Sequence, residues 1–225
     1  MWHELFIEYN GPSLLCEFLT FYTEATKQNL VRVMKLKNET QKKLNLPEMP
    51  FLIINSKDIV KGEVDICRQI AKLTGSYEIF FGRTKEEEVK HLEFIHEFNR
   101  NAEYIPFLNN HLSTRTFCNG NHISISDLYA FAFVIQEVLS LSDDKKWKYC
   151  NVIRWTDHLQ NLNGLKSQLE RLKFIVHLPF EPLLLEPRNL NLEEKKKPSK
   201  PEPKEIEEVK VDKKEVVVEK KHEGK

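Results

Sequence analysis

Few side chains in this sequence could take part in chemistry, and their spacing restricts what they could do. The four cysteines, Cys16, Cys67, Cys118 and Cys150, form no Cys-x-x-Cys pair. They lie inside apolar patterns, where they read as reduced core residues rather than disulfides or metal ligands. Of the eight histidines, His91 and His96 stand five apart, which does not place them on one helix face for a metal, and His222 falls in a charged tail. No phosphate loop, Gly-rich dinucleotide turn or nucleophile elbow is present. The run Glu86-Glu87-Glu88 suits the first turn of a helix, where carboxylates meet the positive end of the helix dipole. Neither a metal nor a cofactor is expected.

Composition narrows the class further. The 225 residues carry 34 Lys plus Arg against 34 Asp plus Glu, a formal charge of zero, and a dedicated nucleic-acid protein usually shows a basic excess. The N-terminus, Met1-Trp2-His3-Glu4, lacks the basic start and apolar run of a secretory signal. No stretch approaches the roughly 18 apolar residues of a membrane span. A soluble, cytoplasmic protein with no membrane contact is expected.

The elements that would position any site fall into two groups. His3–Tyr9 reads as a strand, Leu14 to about Lys27 as a helix, and Leu30–Leu36 as a second strand. Phe51–Ile54 and Asp58–Lys61 read as further strands, and Gly62 turns the chain into a helix over Glu63–Leu73. This β-α-β, β-β-α order is that of an α/β thioredoxin-like lobe, assigned to residues 1–80. From Thr84 the reading is all helical, over residues 84–185. Thr84 and Glu87 are expected to form a reciprocal capping box, with Val89, Leu92, Ile95 and Phe98 as the buried stripe of the helix behind it. Further helices are expected over about Ala102–Leu112, after Ser124, over about Asn151–Asn161 and over about Gly164–Arg171. The one after Ser124 is apolar on nearly every side and should lie at the centre of the helical domain. Residues 190–225 change character. From Glu193 on they hold 11 Lys, 10 acids and no aromatic residue. Such a segment cannot bury enough surface to offset chain entropy, so a disordered charged tail is expected.

Three local patterns resemble the glutathione-transferase fold over about residues 1–185. Glu48-Met49-Pro50-Phe51 looks like the family's cis proline before the third strand. Gly62 to Ala71 resembles the strand-to-helix segment of the glutathione site. Thr116-Phe117-Cys118-Asn119-Gly120 through Ser124-Ile125-Ser126-Asp127 looks like the family's buried N-capping box, with Ser124 as cap and Asp127 at the third helical position. Pro50, Ser124 and Asp127 are therefore structural residues. The resemblance implies a thioredoxin-like lobe followed by an all-α domain like the C-terminal domain of glutathione transferases.

It also implies where a transferase site would be. The family receives the γ-glutamyl carboxylate of glutathione on a Glu/Gln-Ser pair at the start of the third helix. Here those positions hold Gly62 and Glu63. Two like charges about 4 Å apart repel by roughly 4 kcal/mol at an effective dielectric of 20, about three orders of magnitude in affinity. The family's thiol-activating residue would be sought among Tyr9, Ser13 and Cys16. Each has a structural role open to it: strand packing, a helix cap and the core. No catalytic residue is expected, and the chain reads as a non-enzyme.

The segment Tyr149-Cys150-Asn151-Val152-Ile153-Arg154-Trp155-Thr156-Asp157-His158-Leu159-Gln160 resembles a subgroup of such domains found in the translation machinery. That subgroup comprises scaffold proteins of the multisynthetase complex, extensions of methionyl- and glutamyl-tRNA synthetases, and elongation factor 1 subunits. The resemblance implies side-by-side pairing, as a homo- or heterodimer. Arg154, Asp157 and His158 would lie on one contact surface, and Arg68 and Gln69 on another; Trp155 belongs to the core. In the related scaffolds a lysine-rich segment helps hold tRNA. Lys195, Lys196, Lys197 and Lys200 could do so here, or the tail could be a solvated linker. The reading is a non-catalytic scaffold for aminoacyl-tRNA synthetases of the methionyl and glutamyl type. An elongation factor 1 subunit and a glutathione transferase of unusual class stand as the other readings.

Overall fold

The structure is a computed structural model that describes residues 3–8 and 14–178. All of these belong to one unit, Met1–Pro182, and Leu183–Lys225 form the other. The expected tail, with Lys195, Lys196, Lys197 and Lys200, lies outside the described residues.

The first lobe is a four-stranded sheet with helices on it. β1 (His3–Glu8), β2 (Val31–Leu36), β3 (Phe51–Ile54) and β4 (Asp58–Lys61) take the order β2-β1-β3-β4. β1 pairs with β2 in parallel and with β3 antiparallel, and β3 pairs antiparallel with β4. The β1–β2 crossover carries α1 (Leu14–Tyr22), and α3 (Glu63–Leu73) follows β4. Leu5, Ile7 and Leu52 from the sheet meet Phe18, Ile66 and Ile70 from the helices, all essentially buried. The thioredoxin-like lobe is thus present. The Met49–Pro50 bond ahead of β3 is cis.

The helical part follows as α4 (Tyr77–Phe81), α5 (Lys85–Arg100), α6 (Tyr104–His111), a 3-10 turn at Leu112–Thr114, α7 (Ile125–Ser140), α8 (Asp143–Lys148), α9 (Cys150–Gln160) and α10 (Lys166–Leu172). α7 is central: it packs on α1, α5 and α9. Phe131 of α7 meets Phe18 of α1 at 5.6 Å and Trp155 of α9 at 6.0 Å between ring centres. One apolar core therefore runs through both parts of the unit.

Four expectations need correction. α1 ends at Tyr22, not near Lys27; turns cover residues 23–29, with Glu24 and Asn29 at φ 55°. The apolar pattern stops with Tyr22, and the left-handed Glu24 two residues on does not continue a right-handed helix. Gly164 has φ 90°, and a Cβ on it would stand 3.0 Å from Tyr22 Cα and 3.2 Å from the Phe21 carbonyl, so only glycine fits beside the end of α1. The short helices α4, α8 and α2 (Asn38–Lys43) were not anticipated. α2 and α8 bury no residue and so carry no apolar period.

On α5 the buried face is rotated from the expected stripe. It holds Glu88, His91, Phe94, Ile95 and Phe98, while Val89 is exposed. A charged residue belongs to this face because Glu88 accepts from Arg68 of α3. The Thr84 cap is half of the expected box. The Glu87 N–H donates to Thr84 Oγ1 at 3.3 Å, but the Glu87 carboxylate accepts from the Arg83 N–H, 2.7 Å away. Gly82 permits this, because a Cβ there would stand 2.4 Å from Glu87 Cβ.

Candidate functional site

Three places collect the residues singled out in the sequence. The first is a cleft of about 580 Å3 where the start of α1, the cis proline, the first residue of α3 and one face of α7 converge. Leu14, Met49, Pro50, Glu63, Tyr129 and Phe133 are among its lining residues. Glu63 is the first residue of α3, behind Gly62 at φ 85°. Partial burial raises its carboxyl pKa. Gly62 supplies no side-chain cap, so the first turn of α3 brings its own carboxylates, Glu63 and Asp65, to the positive end of the helix.

Beneath this cleft Cys16 is fully buried. Its thiol donates toward the Glu63 carbonyl across 3.7 Å. A hydrogen bond with Cys67, together with burial, pushes the Cys16 thiol well above its ordinary pKa. The thiolate is the nucleophile, and this environment disfavours it. Tyr9 and Ser13 lie outside the described residues. As placed, the cleft offers carboxylates and apolar surface and no activated thiol among the described residues.

The second place is the capping box of α7. Asp127 is fully buried. Its Oδ2 accepts from the Ser124 N–H at 3.0 Å and the Ser124 hydroxyl at 2.8 Å. Its Oδ1 accepts from the Cys118 N–H at 2.7 Å and from the Trp155 indole N–H at 3.1 Å. Loss of water raises the Asp127 pKa, and the hydrogen bonds partly counter that shift. Ser124, Asp127 and Trp155 thereby tie the loop before α7, the start of α7 and the middle of α9 into one knot.

The third place is the outward face of α9. Arg154, Asp157 and His158 stand three and four residues apart and share that face. The Arg154 Nη2 donates to the carbonyls of Leu112 and Arg115 at 2.8 and 2.9 Å. It thus holds the 3-10 turn after α6, yet the residue stays exposed and pairs with no carboxylate among the described residues. Asp157 Oδ1 accepts from the side-chain amides of Gln160 and Asn161 at 3.0 and 3.3 Å. His158 lies edge-on to Phe117, with ring centres 5.3 Å apart.

Other residues of the same segment turn inward. The Asn151 N–H donates to Asn109 Oδ1 at 3.1 Å. Gln160 bonds both backbone groups of Val176 at 2.9 Å. These anchoring roles of Asn151 and Gln160 were missed in the sequence, where nothing local names their partners.

Arg68 and Gln69 are placed apart from that face, on α3. Arg68 pairs with Asp65 one turn earlier and donates from Nε to Glu88 Oε1 of α5 at 3.1 Å. Its guanidinium sits 5.4 Å from the centre of the Phe81 ring. These contacts leave its side chain 22% exposed. Gln69 is half-buried beside it.

The profile of the Arc1p N-like family, described as nuclear-export cofactor Arc1p, matches residues 88–163. Those residues run from α5 through α9 and include both the Asp127 knot and the Arg154 face. Among curated proteins the chain is similar to eukaryotic translation elongation factor 1 epsilon-1. The Mus musculus protein is 25% identical over 138 residues, and that of Homo sapiens 23%; each match covers 57% of this chain and 79% of the relative. Among solved structures it is similar to the GST-like domain of elongation factor 1-gamma from Saccharomyces cerevisiae, with a TM-score of 0.61 and 14% identity, covering 80% of this chain and 98% of that one. A glutathione S-transferase of class Gtt2 from Vibrio parahaemolyticus gives 0.57 and 20%, covering 76% and 100%. The chain carries a glutathione-transferase-like fold, and its sequence resembles such domains of the translation machinery.

Proposed function

We propose that this chain is a non-catalytic cytoplasmic adaptor that assembles aminoacyl-tRNA synthetases by pairing its glutathione-transferase-like domain with theirs. The observation that carries the reading is the α9 face. Arg154 is held by two carbonyls and still presents a cation with no carboxylate partner among the described residues, beside Asp157 and His158. A preorganised arginine surrounded by a rim of mixed charge suits an interface anchor. This face falls within the match to the Arc1p N-like family. Arg68 and Gln69 on α3 are the candidate residues of a second surface, one that Arg68 can join only with the edge its ion pairs leave open.

The non-catalytic part of the reading is supported by Glu63, which brings a carboxylate to the helix N-terminus that would receive glutathione, and by the disfavoured Cys16 thiolate. The working division is a lobe over 1–80, a helical domain over 84–185 and a tail over 190–225. The partners would be methionyl- and glutamyl-type synthetases. Lys195, Lys196, Lys197 and Lys200 would add a weak electrostatic hold on tRNA; an unchanged tRNA affinity after deletion of residues 193–225 would remove that element.

The test is affinity purification of the full chain from its source cytosol, followed by mass spectrometry, with the wild type beside Arg154→Ala. Recovery of synthetases, reduced by the substitution in a protein whose thermal unfolding is retained, is the expected result. Recovery of elongation factor 1 subunits instead would move the assignment to that complex. That second reading is favoured by the similarity to the epsilon-1 proteins and to the gamma-subunit domain.

A further inference from the structure

We infer that the open edge of the sheet beside α10 is a docking groove for an acidic, extended peptide segment of a partner protein, which joins β2 as a fifth strand. The groove is a cleft of about 620 Å3. It is touched by Val31, Arg32, Val33 and Lys35 of β2, with Phe21 and Arg171 across from them. Successive side chains of a strand point to opposite faces of the sheet. A cleft reached by Val31, Arg32 and Val33 in a row therefore runs along the backbone flank of the strand, not over one face.

Among the described residues that flank is unpaired: β2 is the outermost strand of the sheet and its one ladder partner there is β1. The register sets Leu5 opposite Val33, and the His3 N–H donates to the Leu30 carbonyl. In a parallel ladder one strand bonds the residues on either side of its opposite number. Arg32, Met34 and Leu36 therefore turn their backbone groups to β1. Val31, Val33 and Lys35 turn theirs outward. The Val31 N–H is taken up by the Ala25 carbonyl at 3.3 Å. The backbone groups of Val33 and Lys35 have no backbone partner among the described residues.

Charge identifies the occupant. The groove carries Arg32, Lys35 and Arg171 against one carboxylate, Glu17. Glu17 is buried and already committed: it accepts from Lys35 Nζ at 3.0 Å, Arg171 Nη2 at 3.0 Å and Gln168 Nε2 at 2.6 Å. Those contacts fix the inner sides of two cations whose outer sides remain open, with side chains 30% and 55% exposed. Arg32 is exposed and has no ion pair among the described residues. A strand with carboxylates on both faces can meet Lys35 and Arg171 on one side of the sheet and Arg32 on the other, and satisfies backbone and charge together, as in peptide recognition by strand addition. The groove is independent of the α9 face, so this inference and the adaptor reading can fail separately.

The experiment uses the full chain and a fluorescent peptide of about six residues, an ordinary strand length, rich in glutamate with some at odd and some at even positions and valine elsewhere, so that both faces of the added strand carry carboxylates. Fluorescence anisotropy should show saturable, salt-sensitive binding. Arg32→Glu should weaken it by about tenfold, and Arg154→Ala should leave it unchanged. Val33→Pro, which removes an outward N–H, should abolish it. If that variant unfolds, the same peptide N-methylated at alternate residues makes the test on the wild type and should not bind. Equal binding by the N-methylated peptide, or by a lysine–valine peptide, overturns the inference. So does binding of a short RNA strand in place of the peptide. Absence of any binding also overturns it, and leaves Arg32 and Lys35 as charges that keep edge strands of separate copies apart.

Discussion

Trp155 of α9 donates its indole N–H to Asp127 at the start of α7, 3.1 Å away and out of contact with solvent. The same carboxylate serves the Cys118 and Ser124 N–H groups. Its removal strands several buried donors at once. Asp127→Ala should cost about 3–5 kcal/mol of stability, because each orphaned buried donor carries its desolvation penalty. Trp155→Phe keeps most of the apolar bulk and should cost less. Urea unfolding of both variants checks the order.

Glu63 supplies a pH-dependent signature. Its carboxyl pKa is raised by burial, so the fold favours the protonated form. That contribution is present below the unfolded pKa of about 4.3 and is lost as pH rises through the higher folded value. Glu63→Gln should therefore be more stable than wild type at neutral pH, with the gap closing below about pH 4. Denaturant titrations across that range measure it.

The same residue governs glutathione. Wild type should show no saturable binding in calorimetry at pH 7. Glu63→Ser removes the opposing carboxylate and should bring saturable binding into the measurable range. Conjugation of a chlorinated nitrobenzene should stay absent in both, because the substitution supplies no group that activates the glutathione thiol.

His91 gives the opposite slope. It is buried, its Nδ1 lies 3.2 Å from Ser126 Oγ, and burial, with a smaller contribution from His122, lowers its pKa. Protonation is disfavoured in the fold, so stability present above the unfolded value of about 6.5 falls as pH drops through the folded one. His91→Gln should flatten the fall between about pH 7 and 5, read from chemical unfolding midpoints.

Gly164 has φ 90° and lies against the backbone of Tyr22 and Phe21. Gly164→Ala adds strain and a close contact together, and should destabilise by about 1–3 kcal/mol. A lowered thermal midpoint would show it.

The parts of this structure legible in the sequence are those with a local cause. Phe51–Ile54, Asp58–Lys61 and Glu63–Leu73 begin and end where apolar pattern and Gly62 place them. The Ser124–Asp127 box was visible because its two residues are three apart. Its third member, Trp155, was assigned to the core, but the bond to Asp127 joins residues 28 apart and has no local mark. Arg154 was singled out for a contact surface; its grip on Leu112 and Arg115 depends on how α6 and α9 meet. α2 and α8 escaped because they bury nothing. Glu88 was read as a dipole-matched first-turn residue, and its place on the buried face follows from Arg68 on another element.

Glu17 has a consequence for the order of events at the ribosome. It lies in the first helix, but two of its partners, Gln168 and Arg171, follow it by 151 and 154 residues. A nascent thioredoxin-like lobe emerging alone would hold a carboxylate in its α1 core face with Lys35 as its sole cationic partner among those observed. Leaving such a group undersatisfied is costly. Final consolidation of the first lobe should thus wait until α10 has cleared the exit tunnel, so that a break in synthesis before α10 yields a less settled lobe and not an independent domain.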